Sequence, residues 1–380
     1  MKAIISGGGT GGHIFPALAI AAALKRRHPE ADILFVGARG RMEMEKVPAA
    51  GYPIKGLPIA GLQRQLTLSN IIKNLQLPFK MLHSRVLVRR ILRQFSPDIV
   101  VGVGGFASQP TLSTAQRMGL PTLLQEQNSY AGLTNKTLAR GADRICVAYP
   151  DMERFFPADK LVLTGNPVRA DIEQLSCTRD EGCAHFQLDP TLPVILSVGG
   201  SLGARSINRM VMDNLQLFAQ QRVQIIFQTG GAMHDEARQA VERAGLGQWV
   251  KVHPFISRMD LAYAAADLVI SRAGALAISE LCLLGKPALL IPSPNVAEDH
   301  QTRNAKALAD KGAAIMLTDV DCHDKGLPQA FDLLHNSERC ASMSQAILTL
   351  AAPHAADRIV DEIDAILVRN HVIDSATETK

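Results

Sequence analysis

The sequence has 380 residues, of which 47% are hydrophobic, 20% charged and 4% aromatic, with a formal net charge of +4. That is the profile of an α/β enzyme long enough for two domains with their own cores. No run of 18 or more predominantly apolar residues is present, which excludes a membrane-spanning helix, and six scattered cysteines without a C-x-x-C pair speak for reduced thiols in a cytosolic chain and against a zinc site.

Met1-Lys2 runs directly into the apolar Ala3-Ile4-Ile5, so no secretory leader is expected. A glycine turn follows (Gly7, Gly8, Gly9, Thr10, Gly11, Gly12), then an Ala- and Leu-rich segment of helical composition with Pro16 expected near its first turn, where a missing N–H costs little. Strand, glycine turn and helix aim backbone N–H groups and a helix dipole at a phosphate. His13 stands where the turn becomes the helix. Gly7, Gly9 and Gly12 also satisfy G-x-G-x-x-G, the dinucleotide pattern, which wants an acidic residue about 20 residues on for the ribose. The second strand, Ile33-Leu34-Phe35-Val36, ends in Gly37-Ala38-Arg39 without a carboxylate. Arg39 and Arg41 could meet a 2′-phosphate, so the dinucleotide reading is weakened but stays open.

Charge is unevenly spread. Residues 1–150 hold 19 Lys/Arg against 7 Asp/Glu, net +12, whereas the remaining 230 hold 21 against 29, net −8. An anionic partner is therefore expected for the first half only. Residues 46–97 contain nine Lys/Arg and no acid. Within them, residues 66–92 interleave apolar side chains with Lys73, Lys80, Arg85, Arg89 and Arg90. Such a segment suits an anionic membrane surface, with Leu75, Leu77 or Phe79 partly inserted. A core helix with a solvated basic face is the competing reading, and nucleic acid the third, disfavoured by the scarcity of aromatics.

Ile99-Val100-Val101 reads as a buried strand that ends in a second glycine turn, Gly102 to Gly105. Pro121 to Leu124 leads into the polar cluster Gln125-Glu126-Gln127-Asn128, at the strand edge where open α/β sheets bind ligands. Gly165-Asn166-Pro167 marks the expected domain junction. The opening pattern then recurs, with Val194 to Val198 running into Gly199-Gly200-Ser201-Leu202-Gly203-Ala204 and a helix from Arg205. Two such units imply two similar nucleotide-fold domains, at 1–164 and 165–354, with a last helix in 355–380 returning to the first. In Ser271-Arg272-Ala273-Gly274-Ala275-Leu276-Ala277-Ile278-Ser279-Glu280 a strand ends, Gly274 frees the turn and a helix carries Glu280 about two turns in. Backbone N–H groups there suit a diphosphate, and the carboxylate suits the vicinal hydroxyls of a ribose. Asp299-His300-Gln301 lies in a loop placed to touch the same ligand. Asp319-Val320-Asp321 matches D-x-D, a metal-binding pattern, but with His323 and Asp324 nearby it reads as a solvated loop.

Together GGTGGH, EQN, GNPVR, GGS-x-GA, SRAGAL…SE and DHQT…NA resemble, over nearly the whole chain and in order, the MurG family of bacterial N-acetylglucosaminyltransferases. The resemblance implies an α/β GT-B fold of two Rossmann-like parallel-sheet domains facing across a cleft. It also implies an inverting, metal-independent transfer from UDP-N-acetylglucosamine, without a cofactor, to a lipid-linked muramoyl-peptide acceptor in peptidoglycan synthesis. A peripheral enzyme on the cytoplasmic face of the inner membrane is implied, with cell-wall synthesis proteins as further partners and no nucleic acid. By the same resemblance, Ser201 and the turn at Ala275 meet the diphosphate, with Leu276, Ala277, Ile278 and Ser279 on the same segment. Glu280 meets the ribose, Ile256 the uracil and Gln301 the sugar, while Arg169 and Asn128 close on the donor. Thr10, Gly11 and Gly12 line the cleft as part of the UDP-N-acetylglucosamine site, with the acceptor pyrophosphate beside them. Gln125, Leu202 and Gln109 depart from the family pattern, which argues against catalytic roles there.

His13 is the one titratable group in the first glycine turn, and an imidazole suits the base that deprotonates the acceptor hydroxyl. Capping the helix or orienting the acceptor phosphate are its other readings. A UDP-sugar epimerase on the same scaffold and a non-enzymatic sugar-nucleotide-binding protein at the membrane are the alternative functions. The epimerase would need extra carboxylates and no lipid-facing basic surface.

Overall fold

Runs of β-branched residues too apolar to face water on either side become the central strands of two parallel sheets. The computed structural model describes residues 1–59, 61, 77–294, 296 and 299–378, and these divide into two units. Unit 1 comprises Met1–Arg169 and the C-terminal segment from His354; unit 2 is Ala170–Pro353.

In unit 1 the strands are β1 (Lys2–Ser6), β2 (Asp32–Ala38), β3 (Ile54–Leu57), β4 (Ile99–Gly102), β5 (Thr122–Glu126), β6 (Arg144–Val147) and β7 (Leu161–Leu163). Their order is β3-β2-β1-β4-β5-β6-β7, and every pairing is parallel. Alternation along the strands sends Ile5 and Val101 to one face and Ile4 and Val100 to the other. On the first face pack the Gly11–Arg27 helix, through Ile14, Ile20 and Leu24, and the Ala355–Glu378 helix, through Ile359, Val360 and Ile363. The Leu77–Phe95 and Ser108–Arg117 helices cover the second face with Val88, Leu92 and Leu112.

Ion pairs Arg26–Asp357 (2.9 Å) and Arg144–Glu362 (3.1 Å) and a hydrogen bond between His28 Nε2 and Asp364 Oδ1 (2.8 Å) flank the C-terminal helix, and Arg27 pairs with Asp361. Pairs this close to solvent contribute about 0–1 kcal/mol each. Burying each of Ile359, Val360 and Ile363 contributes about 1.5–3 kcal/mol. Apolar burial therefore holds this helix. Pro16 differs from its expected place: it stands in the second turn of the Gly11–Arg27 helix, where it removes the helical bond to the Gly12 carbonyl.

Unit 2 holds β8 (Val194–Val198), β9 (Gln224–Gln228), β10 (Val250–His253), β11 (Leu268–Ser271), β12 (Ala288–Leu290) and β13 (Ile315–Met316) in the order β10-β9-β8-β11-β12-β13, again all parallel. Each sheet thus reverses its winding beside its own first strand, between β1 and β4 and between β8 and β11. In doubly wound sheets that reversal opens a crevice at the carboxyl ends of the strands, where ligands bind. All six cysteines are free thiols.

Candidate functional site

Unit 2 carries a pocket of about 770 Å³ at its reversal point, bounded by the segments that follow β8 and β11. The first wall is the turn from Gly199 to Ala204. Gly203 has φ +77°, and a Cβ there would lie 1.9 Å from the Thr229 carbonyl oxygen, so only glycine lets this turn press against the end of β9. The turn feeds the Arg205–Met212 helix; across the pocket β11 ends at Ser271, and Gly274 precedes the Ala275–Leu284 helix. Two helix N-termini therefore bring backbone N–H groups and positive potential to one cavity, the arrangement that binds a diphosphate.

Beneath that opening lies an ionic cluster. The Arg272 guanidinium donates to the carbonyls of Ile291 (3.1 Å) and Pro292 (3.2 Å), to Ser206 Oγ (2.9 Å) and to Asp319 Oδ1 (2.5 Å). Ser206 Oγ also donates to Asp319 Oδ1 at 2.5 Å. The expected solvated Asp319 is thus corrected: it lines the pocket and is held by an arginine from β11's end and a serine from the opposite wall. Asp321 instead pairs with Lys325 (2.8 Å) and accepts from Thr318 (2.6 Å). Among the described residues no group of three His, Cys, Asp or Glu side chains is placed to hold a metal.

Ser201 lies in the turn after β8, Ile256 (buried) just after β10, and Ala275, Leu276, Ala277, Ile278 and Ser279 on the first turns of the helix after β11. Ser279 Oγ donates back to the Ala275 carbonyl at 3.0 Å. Gln301 lines the pocket and its Oε1 accepts the Ser293 N–H at 2.8 Å. Glu280, farther along the same helix, is only 9% exposed and accepts a hydrogen bond from the Tyr263 hydroxyl at 2.8 Å.

Unit 1 builds a second polar site at the carboxyl edge of its own sheet. Here Glu43, overlooked in the sequence, is decisive. Its buried carboxylate accepts the N–H of Gly9 (3.1 and 3.2 Å to its two oxygens) and of Ala38 (3.0 Å). A Cβ on Gly8, whose φ is +147°, would lie 2.2 Å from Glu43 Oε1. The carboxylate absent from the end of β2 thus arrives five residues later and fixes the glycine turn. Thr10 precedes the Gly11–Arg27 helix, Gly11 and Gly12 form its first positions, and His13 Nδ1 lies 3.2 Å from Thr10 Oγ1, with the other ring edge against Gly104.

The Gln125–Asn128 cluster is built on buried Glu126. This carboxylate accepts from Asn128 N (3.1 Å), Asn128 Nδ2 (3.3 Å), Gly132 N (3.0 Å) and Asn135 Nδ2 (2.9 Å). Burial pushes its pKa above the usual carboxylate range, against the opposing pull of those donors. Asn166 donates to the Gln127 carbonyl at 3.0 Å, and the Arg169 guanidinium lies 5.8 Å from the centre of the Phe15 ring.

On the Leu77–Phe95 helix, Phe79, Leu82 and Val86 form a stripe 77%, 62% and 65% exposed, with Arg89 exposed and Lys80 half-buried on the same helix. Lys73 and Leu75 lie outside the described residues.

Comparisons with known proteins agree with this architecture. The glycosyltransferase family 28 N-terminal domain model matches residues 3–147, and the C-terminal domain model of that family matches residues 194–359. Over 366 residues the chain is 55% identical to the UDP-N-acetylglucosamine–N-acetylmuramyl-(pentapeptide) pyrophosphoryl-undecaprenol N-acetylglucosamine transferase of Parabacteroides distasonis, covering 96% of this chain and 98% of that one. The crystal structure of Acinetobacter baumannii MurG is similar with a TM-score of 0.71 and 31% identity, over 96% of this chain and 99% of that one. A UDP-GlcNAc 2-epimerase from Neisseria meningitidis bound to UDP-GlcNAc gives a TM-score of 0.65 over 96% and 99% of the two chains, but at 14% identity it shares the fold alone.

Proposed function

The chain belongs to glycosyltransferase family 28, and from that premise we propose how its two units divide one reaction. It is a GT-B glycosyltransferase that moves N-acetylglucosamine from UDP-N-acetylglucosamine to the muramoyl 4-hydroxyl of undecaprenyl-pyrophosphoryl-N-acetylmuramoyl-pentapeptide. The observation that carries the donor assignment is the pocket between β8 and β11, with two helix N-termini above it and a buried carboxylate on one of those helices.

In this reading unit 2 holds the donor. Ser201 and the N–H groups at Ala275 and Leu276 take the diphosphate, Glu280 the ribose hydroxyls, the Ile256 backbone the uracil and Gln301 the sugar. Thr10, Gly11, Gly12, Asn128 and Arg169 of unit 1 are the further residues assigned to the donor, with the acceptor pyrophosphate expected beside the first three. The acceptor oxygen attacks the anomeric carbon as the bond from that carbon to the UDP oxygen breaks, inverting the centre. UDP leaves with the electron pair, and the hydroxyl proton passes to a base. His13 is the base we assign, held through Nδ1 by Thr10. The helix N-termini and Ser201 offset the charge that grows on the departing diphosphate.

No described helix is long and apolar enough to cross a membrane. The exposed Phe79–Leu82–Val86 stripe and the basic residues around it support peripheral attachment to an anionic membrane, on the cytoplasmic face where the lipid-linked acceptor is presented. Incubation with labelled UDP-N-acetylglucosamine and a lipid-linked muramoyl acceptor tests the whole reading. Label transferred to the lipid fraction is expected; conversion of the donor to its 2-epimer, or retention of intact donor, would overturn it.

A further inference from the structure

The donor reading asks the pocket of unit 2 to hold a diphosphate and then to accept one further negative charge as the sugar departs. Each helix N-terminus above it supplies only about half an elementary charge, which fades within a turn. The charged side chains lining the pocket, among the described residues, are Arg205, Arg209, Arg272 and Asp319. Arg272 is engaged by Asp319 at 2.5 Å, by Ser206 and by two carbonyls. Arg209 is paired with Glu236 at 2.8 Å. Arg205 is exposed and, among the described residues, makes no hydrogen bond, ion pair or ring contact. Of the three guanidinium groups it is therefore the one whose charge no described carboxylate offsets. Arg205 also opens the Arg205–Met212 helix, and side chains of a helix lean toward its N-terminus. The guanidinium is thus carried toward the Gly199–Ala204 turn, where Ser201 stands.

We propose that Arg205 takes the β-phosphate of the UDP leaving group and carries the full positive charge that a metal-free transfer needs there. The proposal rests on the assignment of the diphosphate to this pocket. A guanidinium offers N–H donors in a fork that matches two phosphate oxygens. As the bond from the anomeric carbon to the β-phosphate oxygen breaks, its electron pair stays on that oxygen, so the contact strengthens with the progress of the reaction. It favours the transition state over the bound sugar nucleotide for that reason. UMP, which lacks the β-phosphate, gains little from it.

Calorimetric titration of the full chain with UDP and with UMP tests it, using the parent, Arg205→Ala, Arg205→Gln and Arg205→Lys. The exposed side chain can change without loss of the fold, which a thermal melt checks. In Arg205→Ala, UDP binding should weaken roughly ten- to hundredfold, the worth of a hydrogen bond to a charged group. UMP binding should change far less, so the ratio of the two constants falls. The kcat for transfer at saturating donor should fall as well, because the contact is strongest as the bond breaks. UDP binding should also depend less on salt in Arg205→Ala than in the parent. Arg205→Gln should behave as the alanine variant, and Arg205→Lys, which keeps the charge without the fork, should recover part of the loss. A parental UDP-to-UMP ratio in Arg205→Ala, or full recovery by glutamine, would overturn the proposal and leave the donor pocket standing. A parent that binds UDP no more tightly than UMP would overturn both.

Discussion

Attachment to the membrane is expected to rest on the apolar stripe of the Leu77–Phe95 helix more than on its charges. Full burial of a Phe, Leu or Val side chain is worth about 1.5–3 kcal/mol. With 77%, 62% and 65% of Phe79, Leu82 and Val86 still exposed, roughly 1–2 kcal/mol remains available from each, or about 3–6 kcal/mol together. At about 1.4 kcal/mol per decade, that is a partition coefficient some 10²- to 10⁴-fold larger. Lys80 and Arg89 add about 1 kcal/mol each beside anionic lipid, within a Debye length of about 8 Å. Cosedimentation with anionic vesicles at low and high salt separates the contributions. Changing Phe79, Leu82 and Val86 together to serine should abolish binding at both salt concentrations. Changing Lys80 and Arg89 to Glu should weaken it chiefly at low salt. Transfer to a short-chain, water-soluble acceptor should survive both changes. A serine variant that sediments as well as the parent would refute the reasoning and move the membrane face elsewhere.

Glu280→Ala should weaken UDP binding by about 1.5–3 kcal/mol, the range for hydrogen bonds to a charged group, and calorimetry showing parental affinity would remove the glutamate from the donor site. Transfer should survive exhaustive chelation, because Asp319 is already engaged by Arg272 and Ser206 and Asp321 by Lys325 and Thr318; activity lost to chelator and regained only with a divalent ion would reopen both aspartates. Arg258 beside Asp260 holds that carboxyl at about 2, below its ordinary 3.8. The pair therefore stabilises unit 2 above the ordinary value, and its contribution is lost as pH falls through about 2. Asp260→Asn should flatten the fall of Tm between about pH 4 and pH 2, and an unchanged acid slope would refute that.

Strands β1, β4, β8 and β11 were legible because buried parallel strands are nearly continuous apolar runs, and the glycine turns after β1 and β8 mark their ends. Other features depend on where a side chain ends up rather than on its spacing. Glu43 binds Gly9 across 34 positions, and its reach depends on how the segment after β2 folds back. Tyr263 reads as one more apolar helix residue until Glu280, 17 positions on, is seen at its hydroxyl. Asp319 sits among acids and a histidine that look solvated, and the Arg272 partner that draws it to the pocket is 47 positions away.

The path of the chain also fixes an order of assembly. Unit 2 is one uninterrupted stretch, whereas unit 1 is closed by a helix that begins after unit 2 is complete. On a ribosome, which releases residues from the amino end, the sheet of unit 1 emerges first but must wait for its last covering helix until the final part of the chain is made. Ile14, Ile20 and Leu24 meanwhile lack the partners Ile359, Val360 and Ile363 that cover them in the finished protein. The first half to be synthesised is therefore the last to close, and a nascent chain stalled anywhere in unit 2 leaves an open apolar face for chaperones to hold or for aggregation to claim.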